Sequence, residues 1–143
     1  MIHNRESLLF RSEPRDDLRS IQSRSDDFQG HSALHRLLLL GHSMGADAAV
    51  KIAARLAAKN LAVDLLIGFD PTKFACPLIP PNVRRALCFY QKEFGDWLGR
   101  GRFHPAPEFA GECVNERVPF RHKKMDDAAE LHERVLVEAG KLL

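Results

Sequence analysis

Cysteine is scarce in this chain: three in 143 residues. Cys76, Cys88 and Cys113 are odd in number and form no Cys-x-x-Cys pair, which argues against a disulfide framework and a zinc knuckle. Such usage fits reduced thiols in a cytoplasmic protein. An excess of either charge is also lacking. Lys plus Arg number 21 against 19 for Asp plus Glu, a net charge of +2, so nothing electrostatic points to a nucleic-acid partner or an anionic membrane surface. Long apolar runs are absent too. The opening MIHNRESLLFRSEPRDD has no secretory core, and no stretch approaches the roughly 20 residues of a membrane span. Internal repeats and low-complexity tracts are missing. What remains is a chain that is 45% hydrophobic, enough for one domain with a real core.

Its organisation changes near Leu34. Residues 1–33 read as an irregular or weakly helical arm, with Leu18, Ile21, Ser25 and Phe28 on one helical stripe after Pro14. Residues 34–143 carry the domain. "LHRLLLLG" has the length and continuous apolarity of a strand buried on both faces of a parallel sheet. "ADAAVKIAARLAAKN" follows as a helix, with Ala49, Ile52, Ala53, Leu56 and Ala57 at helical spacing and Asn60 suited to a left-handed stop. "AVDLLIGFD" is a second buried strand, completing a βαβ unit. "RRALCFYQ" is a third strand and "ECVNERV" a weaker fourth. The final segment opens on an Asp127-x-x-Glu130 capping box and places Leu131, Val135, Ala139 and Leu142 on one helix face. These elements predict an α/β fold, a mostly parallel sheet of about four strands flanked by helices.

The segment with the most chemistry is LLLLGHSMGADAAV. Ser43 stands in Gly-x-Ser-x-Gly between an all-apolar strand and an alanine-rich helix. A nucleophilic serine needs its Oγ lifted clear of the backbone, a base, and donors for an oxyanion. Glycines at 41 and 45 allow strand and helix to approach closely, each at a place where a Cβ is expected to collide. The helix start aims free N–H groups at the serine, and the Met44 amide is the expected oxyanion donor. Against this stands a plain serine in a glycine-flanked turn, which chance supplies often.

This context resembles the α/β-hydrolase superfamily, and within it the small thioesterase-like and lipase-like serine hydrolases. LLLLGHSMGADAAVKIAARL is similar to their nucleophile elbow, LLIGFDPT to a strand ending in the acid, and RHKKMDDAAELHERV to the segment presenting the histidine. The resemblance covers about residues 35–143 and implies a partial α/β-hydrolase fold. It also implies a Ser43, Asp70, His122 triad in the superfamily's order, with no metal and no organic cofactor. The implied partner is a small-molecule ester or thioester. Asp70 ends an apolar strand before Pro71, at the carboxyl edge where open α/β sheets take ligands. A turn-forming aspartate is the plainer reading of the same position. His122, in the loop after the fourth strand, is the expected base. His104 is a second candidate, His132 is expected to be a packing or surface residue, and His42 to point away from Ser43. His31 and His35 lack the glutamate of a zinc protease signature.

Loops 71–84 and 94–111 carry Phe74, Leu78, Ile79, Phe94, Trp97, Leu98, Phe103 and Phe109. Their apolarity suits an acyl chain on the substrate, or equally a cap over the sheet's end. One departure from the superfamily concerns the second oxyanion donor, which comes from a loop after an early strand. The residues before Ser43 hold no His-Gly or Gly-Gly stretch, and "SLLF" is their one strand-like scrap. Either the N-terminal residues cover the four-leucine strand, or another chain does, or the recorded start omits part of the domain, the expectation favoured here. An uncovered strand also allows a different class of function, a catalytically impaired α/β remnant that binds or forms a homodimer through that edge.

Overall fold

Apolar runs bounded by glycine, proline and charge become the strands of a parallel sheet. The structure is a computed structural model and describes residues 35–73, 75–91 and 101–143. The expected N-terminal stripe, the SLLF scrap, Phe74, Phe94, Trp97 and Leu98 lie outside the described residues. Strand β1 spans Leu38–His42, helix α1 Met44–Ala57, β2 Leu65–Phe69, β3 Arg85–Tyr90, β4 Glu112–Arg117 and helix α2 Ala129–Gly140. The strands pair in the order β1-β2-β3-β4, each pair parallel. This is an α/β fold with a four-stranded parallel sheet flanked by helices, and Arg36–Leu143 forms one compact unit.

Alternation along the strands divides the core in two. On one face Leu66, Ala86 and Cys88 pack against Ala46, Ala49, Val50 and Ala53 of α1, joined by Ile79, Val83 and Phe103 from the loops. On the other, Leu65, Ile67, Phe69, Leu87 and Phe89 meet Val118, Met125 and Leu131, with Val135 and Leu142 at the margin. The buried stripe of α1 is therefore rotated from the expected one, and Ile52 is 44% exposed. Small side chains let the helix approach the sheet closely, so alanines rather than the bulkier Ile52 occupy the contact. At the helix end Asn60 takes φ 58°. Asn60 N–H donates to the Ala57 carbonyl and Leu61 N–H to that of Leu56, the paired bonds of a Schellman close.

Two expectations fail. β2 is buried along its length, whereas β1 lies outermost among the described strands and is only half-buried, with Leu40 52% exposed. A run of four leucines thus marks a strand without marking it as central. The capping box is not used either: α2 has Ala128 at its N-cap and no side-chain cap bond. Asp127 falls in the turn before it.

Charged groups close the amino edge of the sheet. Asp64 is buried, accepts the Leu37 N–H at 2.9 Å, and pairs with Arg36 at 3.2 Å and Arg84 at 2.8 Å. Arg85 pairs with Glu112 at 2.8 Å and with the buried Glu138 of α2, which also holds Lys141 at 2.8 Å. Burial opposes the charge on Glu138, but the Lys141 ammonium and the Arg85 guanidinium outweigh it and hold the carboxyl below its ordinary value. A carboxyl depressed in the folded state stabilises the fold above its unfolded pKa and loses that contribution as pH falls through the folded one. Glu138→Gln is expected to lower stability by about 1–2 kcal/mol near neutral pH, the loss shrinking as pH falls below about 4. Urea melts of both proteins at neutral and acid pH check this; a gap that stays constant contradicts it.

Candidate active site

Ser43 joins β1 to α1 in a conformation that residues with a Cβ rarely adopt, φ 55° and ψ −124°. Backbone strain of this kind costs about 1–3 kcal/mol and persists only where neighbours enforce it. The enforcement is visible. Ser43 N–H donates to the Phe69 carbonyl at 2.8 Å, tying the turn to the end of β2, while the Ser43 carbonyl receives Ala46 N–H at 2.9 Å. A Cβ at Gly41 would stand 2.2 Å from the Gly45 carbonyl oxygen and 2.5 Å from Ala46 N, so only glycine lets α1 turn back so sharply. Gly45 does not share this requirement: a Cβ there meets no described atom within 4 Å. Its expected collision is absent: the Gly45 carbonyl lies against Gly41, but the position that a Gly45 Cβ would take is open among the described residues. Met44 is the first residue of α1, where an N–H has no carbonyl one turn back to receive it.

Asp70 occupies the equivalent place on the neighbouring strand. His42 is in register with Phe69, so Ser43 and Asp70 follow the ends of strands about 4.8 Å apart. Asp70 also has positive φ, 48°, and is fully buried. Its N–H donates to Phe89 O at 2.7 Å. Its carboxylate accepts Gln91 N–H at 3.3 Å and Gln91 Nε2 at 3.4 Å. Its Oδ2 lies 2.8 Å from His122 Nδ1.

His122 begins a short 3-10 turn, His122–Lys124, anchored by Val118 N–H on Tyr90 O at 2.8 Å and by fully buried Met125. With Nδ1–H donated to Asp70, the neutral ring keeps Nε2 as its basic nitrogen. His42 completes the cluster in a way that its expected orientation overlooked. Its ring lies 4.5 Å from the His122 ring, tilted by 33°, and its Nε2 is 2.9 Å from the His122 carbonyl oxygen. Neither His42 nor Gln91 carried a local signal; each gains its partner only when strand ends converge.

The other candidate histidines have different partners. His104 is exposed, and its carbonyl receives Ile79 N–H at 2.8 Å. His132 is exposed on α2, its Nε2 on the Asp126 carbonyl. Of the described loop apolar residues, Ile79 and Phe103 are buried in the core, Phe109 packs against it, and Leu78 is exposed. Burial pushes the Cys88 thiol up to about 12, and burial with the Asp47 carboxylate does the same for Cys76, so neither offers a thiolate nucleophile at neutral pH. A largely apolar cleft of about 340 Å³ opens along β1 and α2, lined by Leu40, His42, Phe69, Val135 and Leu136 with His132 and Asp126 at its polar side. Among the described residues, no group of three or more His, Cys, Asp or Glu could hold a metal ion, and no helix is long and apolar enough to cross a membrane.

Compared with protein-family models, curated proteins and solved structures, the chain matches none. The functional reading therefore rests on the geometry of these side chains.

Proposed function

We propose that this chain is a serine hydrolase of the α/β-hydrolase type, cleaving carboxylic esters or thioesters through an acyl-enzyme. The observation that carries the reading is the strained Ser43 at a strand-to-helix turn, one strand away from the Asp70–His122 pair. Ser43 Oγ attacks the carbonyl carbon while His122 Nε2 takes its proton. The Met44 N–H stabilises the oxyanion. Collapse of the tetrahedral intermediate expels the alcohol or thiol, which takes the proton back from His122, and water then releases the acid by the same route. Asp70 keeps the imidazole in the required tautomer and supports its positive charge. The apolar cleft beside His42 favours an acyl group over a charged one.

Hydrolysis of p-nitrophenyl acetate and longer acyl esters, lost in Ser43→Ala, is the expected outcome. Rates no higher than those of Ser43→Ala would overturn the reading, and equal rates for all chain lengths would remove the apolar substrate group. A second reading has one observation in its favour, the outer position of β1 among the described strands with Leu40 half exposed. It makes the chain a module that pairs through that edge. A dimer by size-exclusion chromatography that dissociates in Leu40→Lys, without hydrolysis by the unaltered protein, would favour it.

A further inference from the structure

We infer that His42 is a positioning residue for the imidazole of His122, an inference that rests on the serine-hydrolase reading of the site. Three contacts restrain His122. Asp70 holds Nδ1 at 2.8 Å, His42 covers the ring at 4.5 Å, and His42 Nε2 donates to the His122 backbone carbonyl at 2.9 Å. The first sets the tautomer and leaves the ring free to pivot about that bond. The other two limit the pivot, because one restrains the ring plane and the other the backbone that carries it.

The connectivity gives the contact its consequence. His42 is peptide-bonded to Ser43, whereas His122 reaches the site from the far end of the sheet, after β4. Without His42, the base is tied to the nucleophile through Asp70 alone, whose chain neighbour Phe69 accepts the Ser43 N–H, and through the longer route of the stack β1-β2-β3-β4. With His42, base and nucleophile are tied through a single intervening residue. A displacement of about 1 Å between such groups can cost on the order of 10²-fold in rate, so a short tether has a large return in kcat. A ring recruited for packing alone would need no donor aimed at the base's own carbonyl. Phe69, in register with His42 on the next strand, is buried in the apolar core of its own face.

The test compares His42→Phe, which keeps a ring but lacks the donor, with His42→Gln, whose amide nitrogen can occupy the place of Nε2. Each is assayed for kcat and KM on p-nitrophenyl acetate, for thermal unfolding, and for the downfield proton resonance of His122 Nδ1–H bonded to Asp70. In His42→Phe kcat is expected to fall by about tenfold or more with KM within about twofold, and the resonance to broaden or disappear. His42→Gln is expected to recover most of both. If His42→Phe does not fold, His42→Leu removes the same donor with less bulk. Unchanged kcat and an intact resonance in the donor-less variant would overturn the inference, as would equal impairment of His42→Gln. If the unaltered protein hydrolyses nothing, the hydrolase reading fails by itself. The resonance then decides alone: its loss in His42→Phe supports positioning by His42, and its persistence refutes it.

Discussion

Replacing His122 by alanine is expected to reduce ester hydrolysis by about 10²–10⁴-fold, the usual contribution of a positioned general base. His104→Ala and His132→Ala are expected to stay within about twofold of the unaltered protein. The contrast follows from where each imidazole stands. Of these three, His122 has a ring nitrogen on the fully buried Asp70 carboxylate, at 2.8 Å, leaving its other nitrogen available. His132 spends its Nε2 on the Asp126 carbonyl and sits on an exposed face of α2. His104 is exposed in a loop whose backbone is pinned to Ile79. Steady-state kinetics of the three variants with p-nitrophenyl acetate check this. Activity retained in His122→Ala and lost in His104→Ala would move the base to that loop.

The second large effect concerns the scaffold. Gly41→Ala is expected to destabilise the fold by about 4 kcal/mol or more, in the range reserved for severe backbone or packing conflict. Its Cβ would lie 2.2 Å from Gly45 O and 2.4 Å from Gly45 C. These are backbone atoms that cannot swing aside, so α1 would have to tilt off the sheet, carrying Ala46, Ala49, Val50 and Ala53 out of the core. Gly45→Ala, with open space around its Cβ among the described residues, is expected to be neutral or to stabilise by about 0.5–1 kcal/mol, the helical preference of alanine over glycine. Paired denaturant melts separate the two glycines that the motif treats alike. A Gly45→Ala as damaging as Gly41→Ala would contradict the asymmetry.

Much of this architecture is readable from local pattern. The four strands, their chain order and the α1 stop at Asn60 follow from apolar runs, breakers and a left-handed residue, because these depend on short-range chemistry. The Gly-x-Ser-x-Gly context likewise points to a strained turn, and Ser43 has one. Burial depth is another matter. Leu38–His42 looks as apolar as Leu65–Phe69, yet one strand is outermost among those described and the other central, since hydrophobicity does not reveal the number of neighbours a strand has. The capping box at Asp127 and Glu130 fails by one residue: the helix takes Ala128 as its N-cap, so Asp127 stands outside it and Glu130 out of register. Asp64, Gln91 and His42 were illegible because their partners lie far along the chain, at Arg36 and Arg84, Asp70, and His122 respectively. Only the converging strand ends bring such residues together.

The central claim is that Ser43 is an activated nucleophile. Folded protein treated with a fluorophosphonate, then analysed by intact mass and peptide mapping, tests it most directly. One adduct per chain, located on Ser43, absent in Ser43→Ala and strongly slowed in His122→Ala, is the expected result. Folded protein that stays unlabelled, or carries its adduct on another residue, would contradict the claim.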